Sequence, residues 1–428
     1  MTTSRLSEFV SSIEDYDPQA LSVAQAQRIV QEFVKPIQGV ETVSIFEALD
    51  RVLAADVISP ISVPAHDNSA MDGFAFRAAD LMSNANTTLT IVGTAFAGRS
   101  FDGSVGTGQC VRIMTGAVMP TGCDTVVPQE FTRAVSETSV TVPHMVVQPG
   151  DNRRLMGEDL HEGQPALTQG RKLHAADLGL LASLGIGQVM VWRRLRVAFF
   201  STGDELRSLG DTLEPGCIYD SNRYTLFGML TRLGCELIDM GVVKDDPESL
   251  EAALHAACTN ADAIITSGGV SVGAADYTRQ IMAKMGDVSF WKIGMRPGRP
   301  MAFGTLASHG KSVYLFGLPG NPVAVMVTFY FFAREALLRM MGAAHTPLPV
   351  LRAACVAPLR KKPGRTEYQR GVLFVDAQGN PAVRITGSQG SGVLRSMSEA
   401  NCMVVLRHEQ GNIVAGEMVD VVVFDGLT

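Results

Sequence analysis

The sequence predicts an α/β plus β fold, with a central doubly wound, mostly parallel α/β unit and two smaller β-rich units. Two observations carry that expectation. From residue 195 to about 342, apolar strands alternate with helices at the spacing of βαβ units. On either side, 61–150 and 350–428 hold short β-prone runs broken by glycines and turns. A chain of 428 residues also exceeds one core, and its length suggests roughly three units.

Taken in order, residues 1–19 are polar without a sustained pattern and read as a frayed extension. Apolar residues at Leu21, Ala24, Ile29, Val30, Phe33 and Val34 fit one helical face. A second short helix is expected over 44–54. The runs Leu89–Val92, Cys110–Met114, Thr125–Val127 and Ser139–Val142 suit strands of a small β unit. Leu195–Phe200, Cys235–Val243 and Ala261–Thr266 are the expected parallel strands. Their helices follow a cap at Ser221, the Asp246-Pro247 pair, and Tyr277. Val313–Phe316 adds another strand, and Asn321-Pro322 caps a long helix. Helices are expected to stop at Gly342.

Composition narrows the function. Hydrophobic residues make up 46% and charged ones 18%, so packed cores are affordable and a disordered chain is excluded. A net charge of −7 argues against a general nucleic-acid or anionic-membrane binder. Seven cysteines without a C-x-x-C pair, and no ligand spacing among eight histidines, argue against a disulfide framework or structural zinc. No signal pattern or apolar run long enough to span a bilayer is seen, so a cytoplasmic location is expected.

Ligands of open α/β sheets bind at the carboxyl ends of the strands. Those ends carry Asp204 and Glu205, then Asp245 and Asp246, then Asp276. Together they make a candidate Mg²⁺ rim beside phosphate groups; taken singly, each could be a helix cap. Thr266–Gly273 (TSGGVSVG) contains Ser267, Gly268, Gly269 and Ser271, whose backbone could cradle an oxyanion or border a pterin. Its formal G-x-S-x-G sits in a loop too long for a nucleophile elbow. Lys292, Arg296 and Arg299 surround a Pro-Gly turn as an anion site or a solvated turn. Arg153, Arg154 and Asp159 form a second mixed-charge loop, able to clamp phosphate and metal or to serve as a salt-bridged linker. Pro319 and Pro322 flank Gly-Asn as a rigid shelf. Asp72 before Gly73 fits a turn, and Ser388 and Ser391 a turn or substrate-contact loop.

The ordered set Asp67–Gly73 (DNSAMDG), Arg112–Gly116 (RIMTG), Gly157–Asp159 (GED), Ser201–Glu205 (STGDE), Thr266–Gly273 and Leu318–Pro322 (LPGNP) closely resembles the MoeA family of molybdopterin molybdenumtransferases, relatives of the gephyrin E domain. The resemblance runs from about residue 21 to the C-terminus. It implies Mg²⁺-dependent hydrolysis of adenylylated molybdopterin, with molybdate as the second substrate and release of molybdenum cofactor and AMP. It further implies an elongated homodimer of four-domain subunits with the active site shared between subunits. The domains are then a linker (42–60 and 151–190), a small β domain (61–150), the α/β molybdopterin-binding domain (21–41 and 191–343) and a C-terminal β domain (344–428), after an extension at 1–20.

By motif, Asp72, Thr115 and Asp159 would meet Glu205, Asp245 and Asp276 across the cleft, the last three holding metal. Lys292 and Arg296 would bind anion near Arg153, Pro319, Pro322 and Ser391. Family members usually carry Lys-Pro-Gly-Lys-Pro where this chain has Arg296 and Arg299, so a planar fork replaces a point charge. A contact with the molybdopterin adenylyltransferase is left open. The alternative readings are an adenylyltransferase, or a gephyrin-like scaffold without catalysis.

Overall fold

The computed structural model describes residues 5–13, 15–269, 276–308 and 310–424. Its centre is a six-stranded sheet: β1 (Arg196–Thr202), β2 (Glu236–Val243), β3 (Ala263–Ser267), β4 (Gly286–Lys292), β5 (Pro300–Ser308) and β6 (Lys311–Leu318). The spatial order is β2-β1-β3-β6-β5-β4. The first four run parallel, and β5 and β4 add on antiparallel. β1 is buried from Val197 to Thr202, as a strand covered on both faces must be. Its side chains alternate between two cores. Val197 and Phe199 join one with Phe303, Phe316 and Tyr330, while Ala198 and Phe200 join another with Leu254, Ile264 and Met282.

Helices α1 (Leu6–Ser11) and α2 (Val23–Phe33) pack on the first of these faces. α2 starts at a capping box in which Ser22 accepts the Gln25 N–H and Gln25 reaches back. The expectation of a frayed extension is therefore corrected: Leu6 and Val10 are buried in the main core. Their burial was hidden because a six-residue helix is too short for a legible period. The expected helix over 44–54 is also corrected. Val40–Ser44 is a strand paired with Gln188–Trp192, followed by one 3₁₀ turn at Ile45–Glu47. Pairing with a distant strand outweighs local helical preference there.

This pair, the bonded segments Val57–Ile58 and Pro165–Leu167, and helix α3 (Ala175–Ser183) enclose a separate core of Leu53, Leu173, Leu181 and Val191. Between them the chain builds a sheet in the order Thr125–Pro128, Gly73–Phe76, Gln109–Ile113, Thr87–Ala95, Ser139–Val142, Arg133–Ser136. A Cβ at Gly73 would lie 2.0 Å from the Val127 carbonyl oxygen, so only glycine fits.

α4 (Ser221–Leu233) is capped by Asp220, not Ser221: the Asp220 carboxylate accepts the Arg223 N–H, and Gly234 closes the helix at φ 88°. α5 (Pro247–Asn260) has Asp246 as cap and proline in its first turn, and α6 is Asp276–Met285. α7 (Pro322–Thr328) continues through a π-turn at Phe329–Ala333 into α8 (Arg334–Met340). Asn321 occupies the cap position of α7 without a side-chain cap bond.

The last sheet contains Met295–Arg296, Thr366–Val375, Pro381–Ile385, Val350–Cys355, Met418–Val423 and Cys402–Leu406. Thr366–Val375 also pairs with Cys402–Leu406, which closes the ring of strands. Contrary to expectation, one short helix, α9 (Leu394–Ser398), lies beyond Gly342. Among the described residues, no helix is long and apolar enough to cross a membrane.

Candidate active site

The carboxyl ends of β1 and β2 bring acids together. After β1, Asp204 and Glu205 are exposed. After β2, the Asp245 N–H lies 3.4 Å from Asp204 Oδ1. The Asp245 carboxylate accepts the Tyr277 hydroxyl at 2.6 Å, and Tyr277 also reaches the Asp245 carbonyl. Burial, then this carboxylate, holds the Tyr277 phenol above its usual range. Tyr277 thereby ties the first turn of α6 to the end of β2, a link that no spacing in the sequence announces. Among the described residues, none of Asp204, Glu205 and Asp245 is ion-paired. Asp246 differs: it accepts the Ser249 N–H at 2.9 Å, which holds its carboxyl low, and acts as a helix cap.

The described residues contain no group of three or more His, Cys, Asp or Glu able to hold a metal. The side chain of Asp276 and all of Ser271 lie outside the described residues. The Glu205 and Asp245 carboxylates remain as exposed, uncompensated, hard oxygen donors. That suits Mg²⁺, which is commonly held by one or two carboxylates together with water and substrate phosphate.

Behind these acids runs a buried polar belt that sequence reading did not find. Ser201 donates to Asp220 at 3.0 Å. Asn222 donates to Ser267 Oγ at 2.8 Å and to the Gly320 carbonyl at 2.6 Å. Asp220 Oδ2, Asn222 Oδ1, Thr266 Oγ1 and Thr278 Oγ1 are buried without a partner. The available signal is the Asp220-Ser-Asn222 run opening α4, of which the sequence singles out only Ser221, as a cap. Gly268 and Gly269 cross the end of β1 at φ 94° and 69°. A Cβ on Gly268 would sit 2.4 Å from the Thr202 carbonyl oxygen, so both the conformation and the space require glycine.

The cations gather along the opposite margin of the sheet. Lys292 ends β4 half-buried, and Arg296 and Arg299 are exposed. Met295–Arg296 pairs in parallel with Thr366–Glu367, which joins the cationic turn to the C-terminal sheet. A cavity of about 410 Å³ opens there, lined by Arg296, Arg360, Glu367, Gln369, Arg384 and Gln389 among others. Beside it lies Arg370, a residue the sequence reading missed. Its guanidinium is fully buried and donates to Ser396 Oγ and to the carbonyls of Ser388, Gln389 and Gly390 at 2.9–3.2 Å. Burial, and then Arg296, push it down to about 10. Arg370 therefore shapes the loop carrying Ser391, whose carbonyl accepts the Val323 N–H at 3.1 Å. Through that bond, Ser391 comes next to Pro322. Asn222 joins the Pro319–Gly320 turn to Ser267.

The remaining predicted residues form a second group. Asp72 Oδ1 accepts both the N–H and the hydroxyl of Thr115 at 2.7 Å, which holds the Asp72 carboxyl low. Arg153 is not a free phosphate clamp: Asp67 takes up its guanidinium, with Nε to Oδ2 at 2.9 Å, and also accepts the Met156 N–H. Arg154 is exposed in a two-residue strand. Asp159 is exposed, its N–H donating to the Val63 carbonyl. Among the described residues, no hydrogen bond or ion pair joins this group to Glu205 or Asp245 within one chain. The cysteines are free thiols, and burial pushes Cys110 and Cys123 up to about 12, so neither is a ready nucleophile.

Residues 21–185 match the MoeA N-terminal region (domain I and II), 198–339 a probable molybdopterin binding domain, and 352–424 the MoeA C-terminal region (domain IV). The molybdopterin molybdenumtransferase of Haemophilus influenzae is 41% identical over 409 residues, covering 95% of this chain and 99% of that protein. That of Nostoc sp. is 39% identical, with 86% and 85% covered. Gephyrin of Dictyostelium discoideum is 32% identical over 93% of this chain, though over only 61% of its own length. The molybdopterin biosynthesis moeA protein of Pyrococcus horikoshii OT3 superposes with a TM-score of 0.80 at 26% identity, covering 95% of this chain and all of that one.

Proposed function

This chain belongs to the MoeA family, and from that premise we propose a mechanism for its reaction. It is a transferase that inserts molybdenum into molybdopterin in molybdenum-cofactor biosynthesis. In our reading the substrate that receives the metal is adenylylated molybdopterin. Water cleaves its phosphoanhydride to release AMP, and the dithiolene sulfurs displace oxygen from molybdate, which takes up the thiol and solvent protons and leaves as water.

The observation that carries this reading is the set of exposed acids at the carboxyl ends of adjacent parallel strands, Asp204 and Glu205 after β1 and Asp245 after β2. Among the described residues they have no ion-pair partner, and the Asp245 N–H to Asp204 Oδ1 contact links the two ends. With Asp276 at the start of α6, Glu205 and Asp245 would hold Mg²⁺. A bound Mg²⁺ would draw charge from the phosphates and favour attack by water. Tyr277 fixes the Asp245 carboxylate by its hydroxyl, so the acid is oriented before substrate arrives. Ser267, Gly268, Gly269 and, by motif alone, Ser271 would border the pterin-phosphate edge, although the Gly268 N–H is already given to the Leu318 carbonyl. Lys292, Arg296 and Arg299 would attract molybdate, and Pro319, Pro322 and Ser391 would border the substrate.

We read the enzyme as a cytoplasmic homodimer, with the domain division 42–60 and 151–190, 61–150, 21–41 and 191–343, and 344–428. Asp72, Thr115, Arg153 and Asp159 would then face the acids of the second subunit. Leu209, Leu213, Ile218, Tyr219, Tyr224 and Phe227 are exposed apolar side chains close in sequence to Glu205 and supply a surface for such a partner. A transient contact with the adenylyltransferase would hand over the adenylate without loss to water.

The test is Glu205→Gln, which keeps shape and removes charge. Turnover should fall by at least roughly 100-fold, with a raised Mg²⁺ requirement and an unchanged oligomeric state. An unchanged Mg²⁺ titration would remove Glu205 from the metal site.

A further inference from the structure

Residues 5–13 and 15–20 precede the matched N-terminal region, which begins at residue 21, yet they pack against the central sheet. Leu6 and Val10 are buried in the cluster that holds Trp291, Ile293 and Met295, and the Phe9 ring lies 5.8 Å from that of Phe33. The contacts fall at both ends of β4, the edge strand of the sheet. At its start, the N–H and hydroxyl of Ser7 donate to Asp287 Oδ2 at 2.7 and 2.8 Å. At its end, the Trp291 indole N–H donates to the Tyr16 hydroxyl at 3.1 Å, and the Lys292 N–H donates to the Pro18 carbonyl at 2.7 Å. One step further, the Gly294 N–H donates to the Leu21 carbonyl at 2.7 Å, and Leu21 bridges Ile293 in parallel.

Consecutive strand residues point to opposite faces. Trp291 is 1% exposed and packs 5.2 Å from Phe303, so its ring fixes the rotation of the strand at that point. The next residue, Lys292, must project the other way. Its main chain is anchored by Pro18, and its neighbour's ring by Tyr16. An edge cover alone would need only the contacts along the strand. Here three successive anchors bracket one lysine at the mouth of the cationic turn.

We propose that the segment 5–20 is a positioning element for Lys292, and that Tyr16 is a positioning residue setting the affinity of the cationic turn for its oxyanion. The proposal rests on the reading of Lys292 as a molybdate-binding residue. Tyr16→Phe in the full chain keeps the ring and removes the acceptor of the Trp291 N–H. Ser7→Ala weakens the other end, and Lys292→Ala tests the underlying reading. Sodium molybdate is titrated against AMP release and, separately, by calorimetry. Trp291 emission is followed in a Trp192→Phe background, which leaves one of the two tryptophans.

Tyr16→Phe should raise the molybdate KM and Kd by roughly three- to tenfold, leave kcat at saturation within about twofold, and shift Trp291 emission. Ser7→Ala should act the same way, more weakly. If Tyr16→Phe moves the emission while Lys292→Ala alone weakens molybdate, the segment is only an edge cover and the proposal fails. If Lys292→Ala leaves molybdate affinity unchanged, the anion reading of Lys292 falls, and the proposal with it.

Discussion

At the scale of single residues, charge and burial sort the acids by job. Among the described residues, Glu205 and Asp245 stay exposed without an ion-pair partner just past the strand ends, whereas Asp246 caps a helix and Asp67 is taken up by Arg153. Asp262 is a structural case. It holds Arg193 through two bonds of 2.8 Å and accepts the Arg196 N–H at 2.9 Å. Burial works to raise its carboxyl, but Arg193 and the Arg196 N–H outweigh it and bring the group below its ordinary value of 3.8. A carboxyl lowered on folding contributes stability that is full above its unfolded pKa and is lost as pH falls through the folded one. Unfolding midpoints should therefore drop as pH falls below about 4. Asp262→Asn should cost on the order of 2 kcal/mol at pH 7, and its deficit should shrink in acid. A deficit that stays constant from pH 7 down to about 3 would show that the pair contributes no charge-dependent stability.

At the scale of elements, strand ends and the glycine turns that follow them make the site. Gly268→Ala would combine a φ of 94° with a Cβ 2.4 Å from the Thr202 carbonyl oxygen. It should leave the strands intact and weaken adenylate binding by at least roughly tenfold, measured by calorimetry. Unaltered binding would separate this turn from the substrate. The parallel strands and their helices were legible because doubly covered strands are continuously apolar and their helices carry Asp or Pro at the start, as in Asp246-Pro247. The sequence carries no strand signal at Val40–Ser44, because its partner, Gln188–Trp192, lies some 150 residues away and no local pattern reports it. The acids of the site were visible as strand-end residues. The Asp220–Asn222 belt, Tyr277 and Arg370 were not, because their roles depend on which chain segments become neighbours.

At the scale of the whole molecule, no hydrogen bond or ion pair among the described residues links two groups of candidate residues within one chain: Glu205 and Asp245 on the α/β sheet, and Asp72 with Thr115 on the small β unit. A shared site in a two-fold dimer would reunite them. Mixing inactive Asp72→Asn subunits with inactive Glu205→Gln subunits should then restore about a quarter of wild-type activity, since half the dimers regain one intact site. Failure to complement while mixed dimers form would place each site within a single subunit. The central claim is the coupling of adenylate hydrolysis to molybdenum insertion, and it is tested most directly by AMP release. Purified protein is given adenylylated molybdopterin and Mg²⁺, with and without molybdate, and the cofactor formed is assayed in parallel. The account predicts molybdate-dependent AMP release matched by active cofactor; tight binding of the adenylate with neither AMP nor cofactor formed would contradict it.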